Sequence, residues 1–415
     1  MVITFYDSYN VLNRVYSDKA FVKQALLDTP LRESTRAQTT KICYGVLDKD
    51  ITLEYIIKKL CSKMPKQKIK VIIKIGLYSI IYLKTPPHLV TDTCVELIKK
   101  LGKGGTSGFV NAVLRNYLRN GVNLEEKGNL GLSIKYSYPL FVVNELVKDY
   151  GLELAKSIMS EDTSRTYLTF NTGVDGEEYL KNIKKEYVKT PFSNCFEVKN
   201  FKMNDDFYMG LYTFQSIGSV AICDIVEGGQ KLLDTCAAPG GKSVLLSNKF
   251  ESVTSCELHE HRANLINSYA KRRNKQNITV NCLDSTVYNS EFNSAFDAVL
   301  CDSPCSGLGV IKDNPDIKLN RDLNSLNELN ALQTNILNNV CKYVKVGGNL
   351  YYSTCSILKR ENEAIALKFL KDNPNFIAEE ITSPLANIKQ KVGLQFLPNI
   401  SSGAGFYVAK FKRIK

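Results

Sequence analysis

The stretch Leu232-Leu233-Asp234-Thr235-Cys236-Ala237-Ala238-Pro239-Gly240-Gly241-Lys242-Ser243 decides the fold. A short apolar run ends in Asp234, small residues and Pro239-Gly240-Gly241 follow, and a helical pattern starts behind them. This is a strand passing through a tight loop into a helix. The two glycines let the backbone approach a ligand closely, and the amides opening the helix can receive an anionic group such as a carboxylate. The loop reads as a nucleotide-cofactor site.

Its chemistry excludes two common occupants. A phosphate-cradling loop needs glycine six positions before its lysine, and that position is Cys236, so the Gly-Lys-Ser ending is half a match. The three-glycine fingerprint of a dinucleotide fold is missing as well. The remaining common occupant is S-adenosylmethionine.

Outward from the loop, strands and helices alternate from Gly228 onward at the spacing of a doubly wound sheet. The pattern predicts strands at Lys231–Asp234, Val253–Glu257, Ile278–Cys282, Phe296–Asp302 and Asn349–Thr354, with helices starting near Gly240, His259, Leu323 and Lys359. Ligands in such sheets bind at the carboxyl ends of the strands. Glu257 closes the second strand, where a carboxylate can take both hydroxyls of a ribose, and Asp284 follows the third, placed for an adenine amine or the sugar. A lone acid there is often only a helix cap.

Upstream, the chain is different. From Val2 to about Asn120 apolar residues recur at three and four positions, and turn signals at Thr29-Pro30, Met64-Pro65, Thr85-Pro86-Pro87 and Gly102 to Gly105 separate the stripes. This predicts an all-helical domain over residues 1–122. Residues 1–150 hold 23 Lys plus Arg against 13 Asp plus Glu, a surplus of 10, while the rest has 31 against 29. Basic character concentrated at one end points to a polyanionic partner, RNA or DNA. Lysines 58, 59, 63, 66, 68, 70 and 74, with Arg115 and Arg119, could line a phosphate-tracking face, though a solvated helix surface would look much the same. Between the two parts, residues 123–227 read as a small α+β connector. Tyr138 to Met159 is expected helical, Tyr167 to Asn171 and Phe196 to Val198 extended, and Gly173 to Lys185 a turn feeding a basic helix.

Several classes fall away. Met1 to Asp18 carries charges throughout, unlike a signal peptide, and the longest apolar stretch, Val71 to Leu83, is too short to span a bilayer. A cytoplasmic protein is expected. The 12 cysteines lie scattered with no Cys-x-x-Cys pair, and the chain has 3 histidines, which fits neither a disulfide framework nor a metal cluster.

Most of those cysteines are expected to be small buried apolar residues. Two are placed otherwise. The fourth strand ends in Asp302-Ser303-Pro304-Cys305-Ser306-Gly307 and the fifth in Tyr352-Ser353-Thr354-Cys355-Ser356, so two thiols project from strand ends toward the place of a methyl donor. Position 5 of cytosine is too electron-poor to attack a methyl sulfonium directly. A thiolate must first add to carbon 6 and push density onto carbon 5, after which a second group helps resolve the adduct. Asp302 could hydrogen-bond the base at N3 and its exocyclic amine. Spacing leaves open which thiol attacks.

With these residues in hand, the chain resembles the RsmB (Fmu/Sun) family of bacterial small-subunit ribosomal RNA cytosine-C5 methyltransferases. The resemblance runs nearly end to end, through Leu233 to Lys242, Asp302 to Gly307 with Gly309-Val310-Ile311, Asn314-Pro315-Asp316-Ile317-Lys318, and Gly347-Gly348 through Ser356 with Glu361-Asn362-Glu363. The amino-terminal part is similar to the NusB-type RNA-binding fold through Gly76-Leu77-Tyr78, Pro86-Pro87-His88 and Phe109 to Arg115. The resemblance implies a multidomain chain: a NusB-like all-α domain, the α+β connector, and over 228–415 a Rossmann-like, mostly parallel α/β methyltransferase domain. It further implies that Cys236, Ala237, Ala238, Pro239, Gly240, Gly241, Lys242, Glu257, Asp284 and Asp302 contact S-adenosylmethionine. Cys355 would be the nucleophile and Cys305 the thiol that helps release the methylated base. The implied partner is 16S ribosomal RNA, bound by a monomer without metal, with one cytosine read flipped or unpaired. Asp313 stands where a basic residue is common, Leu319 where an aromatic is, and Ser216 where an aspartate is usual.

Overall fold

The periodic apolar stripes of the first part become seven helices: Val2–Asp18, Val22–Asp28, Glu33–Asp48, Asp50–Leu60, Gln67–Ile81, Pro87–Lys100 and Ser107–Asn120. Pro87 opens its helix, where its missing amide costs nothing. The stripes converge on one core that includes Leu12, Ile42, Val46, Leu53, Ile57, Ile72, Leu97 and Leu114, all fully buried. Each such side chain contributes about 1.5–3 kcal/mol by leaving water.

The computed structural model describes residues 1–161 and 165–415. Two units emerge, Met1–Ser160 with Ile311–Asp322, and Glu161–Val310 with Leu323–Lys415. Residues 123–160, grouped with the connector in the sequence reading, thus pack with the first unit. Local bonds explain it: Thr52 Oγ1 donates to the Ile134 carbonyl at 2.6 Å and the Ile51 amide to Ser137 Oγ at 3.1 Å. The helix expected over Tyr138 to Met159 is two, Leu140–Tyr150 and Leu152–Ser160, broken at Gly151.

The lysine face needs a correction too. Lys74 is buried, its Nζ bonded to Asp50 at 2.5 Å and Glu54 at 2.7 Å, and Lys70 pairs with Glu54 at 2.7 Å. Lys74 therefore faces the interior, while Lys58, Lys59, Lys63, Lys66, Lys68, Arg115 and Arg119 are exposed. The segment 311–322 returns to the helical unit: Lys318 Nζ reaches the Asp48 carbonyl at 2.6 Å and its carboxylate at 2.8 Å, and Leu319 packs on the helical core. Burial pushes the Asp313 carboxyl upward in pKa.

In the second unit a four-stranded antiparallel sheet comes first, in the order Tyr187–Lys189, Cys195–Val198, Thr166–Phe170 and Tyr212–Phe214. The helix beside it, Gly176–Asn182, opens with Glu177 and Glu178 under an Asp175 cap, so it is not the basic helix expected; Lys184 and Lys185 lie beyond its end. Ser216 caps the helix Ile217–Ile225, accepting from the Ser219 amide at 3.2 Å.

The large sheet has nine strands: β1 (Gly229–Asp234), β2 (Phe250–Glu257), β3 (Ile278–Cys282), β4 (Phe296–Asp302), β5 (Val344–Thr354), β6 (Phe376–Glu379), β7 (Ile388–Lys389), β8 (Leu394–Phe396) and β9 (Phe406–Arg413). Their order is β7-β8-β9-β5-β4-β1-β2-β3, with β6 on β9. Strands β1 to β5 run parallel, and β9 lies antiparallel against β5. The chain winds outward from β1 in both directions, so a crevice opens at the carboxyl ends of β1 and β4. The antiparallel extension β6 to β9 was not expected; it seals the far edge of β5 with buried Val408, Phe406 and Tyr407. Among the described residues no helix is long and apolar enough to cross a membrane.

Candidate active site

Behind β1 the quoted stretch does turn directly into a helix, Gly241–Leu246. Gly240 has φ +102, and a Cβ there would lie 3.1 Å from the Ile266 backbone, so only glycine allows the close approach. Asp234 is fully buried beneath the loop and accepts from Ser243 Oγ at 2.6 Å; burial pushes its carboxyl up to about 6. Two clefts flank the loop. One of about 420 Å³ is lined by Leu233, Thr235, Asp284, Ser285, Val287 and Tyr288 among others. The other, about 210 Å³, is lined by Cys236 to Pro239, Gly241, Lys242, Gln215 and Asp302.

The two thiols stand at the ends of adjacent strands. Because β4 and β5 pair in parallel with Asp302 opposite Ser353, the loops that follow emerge side by side. Their sulfurs come within 3.1 Å of each other. Cys355 is exposed and Cys305 half-buried. The Cys355 thiol is drawn below its usual pKa, first by the hydrogen bond from Cys305, with Lys242 helping, against burial and Asp302. Cys305 is pushed well up, first by that same bond and then by burial. These influences favour thiolate character at Cys355 over Cys305. Beside them, Asp302 Oδ2 accepts from Lys242 Nζ at 2.6 Å and Oδ1 from Ser353 Oγ at 2.7 Å, which fixes the carboxylate plane.

A glycine loop at the carboxyl end of the first strand of a doubly wound sheet, with a cleft on each side, suits a nucleotide-type cofactor, and the chain is similar to known methyltransferases. Residues 223–412 match the family described as 16S rRNA methyltransferase RsmB/F, and residues 7–119 match the NusB family. The probable ribosomal RNA small subunit methyltransferase B of Bacillus subtilis is 30% identical, over 97% of this chain and 95% of that protein. The chain belongs to this methyltransferase family. The ribosomal RNA small subunit methyltransferase B of Pasteurella multocida is also 30% identical, over 90% of the chain and 87% of its own length. In fold, the crystal structure of PH0851 superposes with a TM-score of 0.84 at 19% identity, covering 99% of this chain and 98% of that one. A methyltransferase homologue from Pyrococcus horikoshii gives 0.59 at 21% identity, over 70% and 100%.

The cofactor of this methyltransferase is S-adenosylmethionine, and the residues present suit it. The larger cleft joins apolar walls to the Asp284 carboxylate, whose Oδ1 accepts from the Thr286 amide at 2.8 Å and so also caps a turn. Glu257 is buried at the end of β2, its Oε1 within 3.2 Å of the His259 amide and 3.3 Å of Arg262 Nη1. The loop from Cys236 to Lys242, Glu257, Asp284 and Asp302 lie at or just past the carboxyl ends of β1 to β4, as expected; Asp284 lines the larger cleft, Asp302 and the loop the smaller, and Glu257 lines neither. Sequence reasoning gave no role to Gln215, whose side chain lies against Gly241, or to Gln333 and Glu361, which lie behind the thiols. Glu361 stands in a quoted motif; its burial was the missing signal.

Proposed function

We propose that this chain transfers a methyl group from S-adenosylmethionine to carbon 5 of one cytosine in small-subunit ribosomal RNA, through a transient bond between Cys355 and carbon 6. The observation that carries this reading is the pair of sulfurs 3.1 Å apart at the ends of adjacent parallel strands. A single cysteine would suffice for nucleophilic attack, but the adduct must also lose the proton from carbon 5 before the thiolate can leave.

The chain's own residues divide the work. Cys355 adds as thiolate to carbon 6, and the displaced electron pair makes carbon 5 nucleophilic. Asp302 takes the N3 and amine edge of the base, held by Ser353 and Lys242. The bound cofactor supplies an electrophilic methyl. Cys305 serves the release step: as a thiolate it takes the carbon 5 proton, the electron pair of that C–H bond re-forms the ring double bond, and the bond to Cys355 breaks to return the Cys355 thiolate. For the cofactor, Cys236 to Lys242 would surround its amino-acid end, Glu257 the ribose hydroxyls and Asp284 the adenine side.

Small-subunit RNA as substrate rests on the names of the relatives and on the surplus of 10 positive charges in residues 1–150, which suits a phosphate backbone. The base must be unpaired or flipped, since carbon 6 is hidden within a stack. Mapping methylcytosine in RNA from a strain lacking the gene tests the reading. Loss at one cytosine of small-subunit RNA, restored by the wild-type gene and not by Cys355→Ala, is expected. Loss confined to transfer RNA would overturn the substrate, and an unchanged map would overturn the activity.

A further inference from the structure

Glu361 is fully buried, yet every hydrogen bond its carboxylate makes in this structure is to a neutral donor. Oε1 accepts from the Ser306 amide at 2.8 Å and Gln333 Nε2 at 3.1 Å, and Oε2 from Ser306 Oγ and Ser356 Oγ, each at 2.5 Å. Ser306 and Ser356 are the residues that immediately follow the two cysteines. Gln333 extends the clamp by donating to the Pro304 carbonyl at 3.0 Å, on the other side of Cys305. The neighbour Asn362 does the same around Cys355, accepting from Thr354 Oγ1 at 2.5 Å and donating to the Ser356 carbonyl at 2.9 Å. A buried carboxylate is costly unless several donors meet it, so the arrangement holds both loops to one point or leaves a charge stranded.

We propose that Glu361, braced by Gln333, is a positioning residue that ties the loops of Cys305 and Cys355 together and sets the separation of their sulfurs. The proposal rests on the cytosine-C5 reading for its purpose, but not for its geometry. The two loops meet directly where the Gly309 amide donates to the Cys355 carbonyl at 2.9 Å, and the Glu361 side chain, six residues past Cys355, adds three hydrogen bonds that tie the residues following the two cysteines to one point. Displacement of reacting groups by about 1 Å can cost on the order of a hundredfold in rate, so a group that fixes this distance governs turnover without touching RNA or cofactor.

The test uses Glu361→Gln, which keeps the shape and replaces one acceptor oxygen by a donor, in the full chain. Iodoacetamide labelling of Cys355, followed against pH by mass spectrometry without RNA or cofactor, reads the thiol pair directly. If Glu361 positions Cys305 to donate to Cys355, the variant's labelling midpoint moves up toward that of an ordinary thiol. If the carboxylate acts only through its charge, its removal moves the midpoint down, and the proposal is overturned. In turnover, kcat falls by roughly ten- to a hundredfold with KM for RNA nearly unchanged; a wild-type kcat would equally overturn it. Ser306→Ala, which removes one arm and keeps the amide bond, guards against a folding defect and should shift both readings the same way by less. If Cys355→Ala retains full transfer, the cytosine-C5 reading fails instead, while the labelling midpoints still judge the clamp.

Discussion

The cofactor side and the thiol side of the crevice are built in opposite ways. The cofactor side is centred on one contiguous stretch, Leu232 to Ser243, whose shape follows from local backbone, with Asp234 below, Gly240 at φ +102 above and a helix directly behind, and other strand ends add Glu257, Asp284 and Asp302 around it. The thiol side is assembled from three separated segments, Pro304 to Ser306, Gln333, and Thr354 through Asn362. The loop takes its shape locally, whereas the separation of the thiols is set by contacts between segments distant in sequence.

Crossed substitutions would break that contrast most sharply. Cys355→Ala should reduce methyl transfer by at least about a thousandfold and leave cofactor affinity by calorimetry within about twofold. Gly240→Val should do the reverse. Forcing a side chain to φ +102, 3.1 Å from Ile266, costs roughly 1–3 kcal/mol, so cofactor affinity drops about tenfold or more while Cys355 labelling stays at the wild-type rate. If both variants lose both properties, the two sides are one cooperative unit.

Cys305→Ala sharpens the thiol side. It removes the largest influence that lowers the Cys355 pKa, so the thiolate fraction at neutral pH falls. The labelling midpoint of Cys355 should move to higher pH. A midpoint that stays in place would assign the lowering to Lys242 instead.

A smaller effect belongs to Ser353→Ala, which removes the 2.7 Å bond to Asp302 Oδ1 and leaves Lys242 holding the other oxygen. The loss of one hydrogen bond to a charged group predicts roughly a tenfold decrease in kcat/KM. Smallest is a pH effect beneath the cofactor loop. With its carboxyl raised to about 6, Asp234 keeps a proton in the folded state that the unfolded chain gives up near the ordinary carboxylate range. Its contribution is thus present at low pH and is lost as pH rises through about 6. Asp234→Asn should gain stability relative to wild type, by on the order of 1–2 kcal/mol, between acid and neutral pH in chemical denaturation.

The same contrast explains what could be read from the chain alone. Strands β1 to β5 were expected at their observed places because their apolar runs end in turn chemistry, and the residues facing the cofactor sit at fixed offsets from those ends. Cys305 and Cys355 were paired for the same reason. Glu361 and Gln333 gave no such signal: each is one polar residue near or in a helix, and only burial against the loop of Cys305, 55 and 29 residues away in sequence, gives it a task. Lys74 misled in the other direction, since a lysine among lysines reads as surface until Asp50 and Glu54 are found around it. The antiparallel β6 to β9 escaped because β6, β7 and β8 span only 4, 2 and 3 residues, while β9 is buried on both faces from Phe406 to Phe411 and so shows no alternation.

The central claim, a covalent route through Cys355 resolved by Cys305, is tested most directly on a denaturing gel. Cys305→Ala incubated with small-subunit RNA and S-adenosylmethionine should give a protein-RNA band that survives denaturation and vanishes in the Cys305→Ala, Cys355→Ala double variant. No band with the single variant, or one that persists in the double, would contradict it.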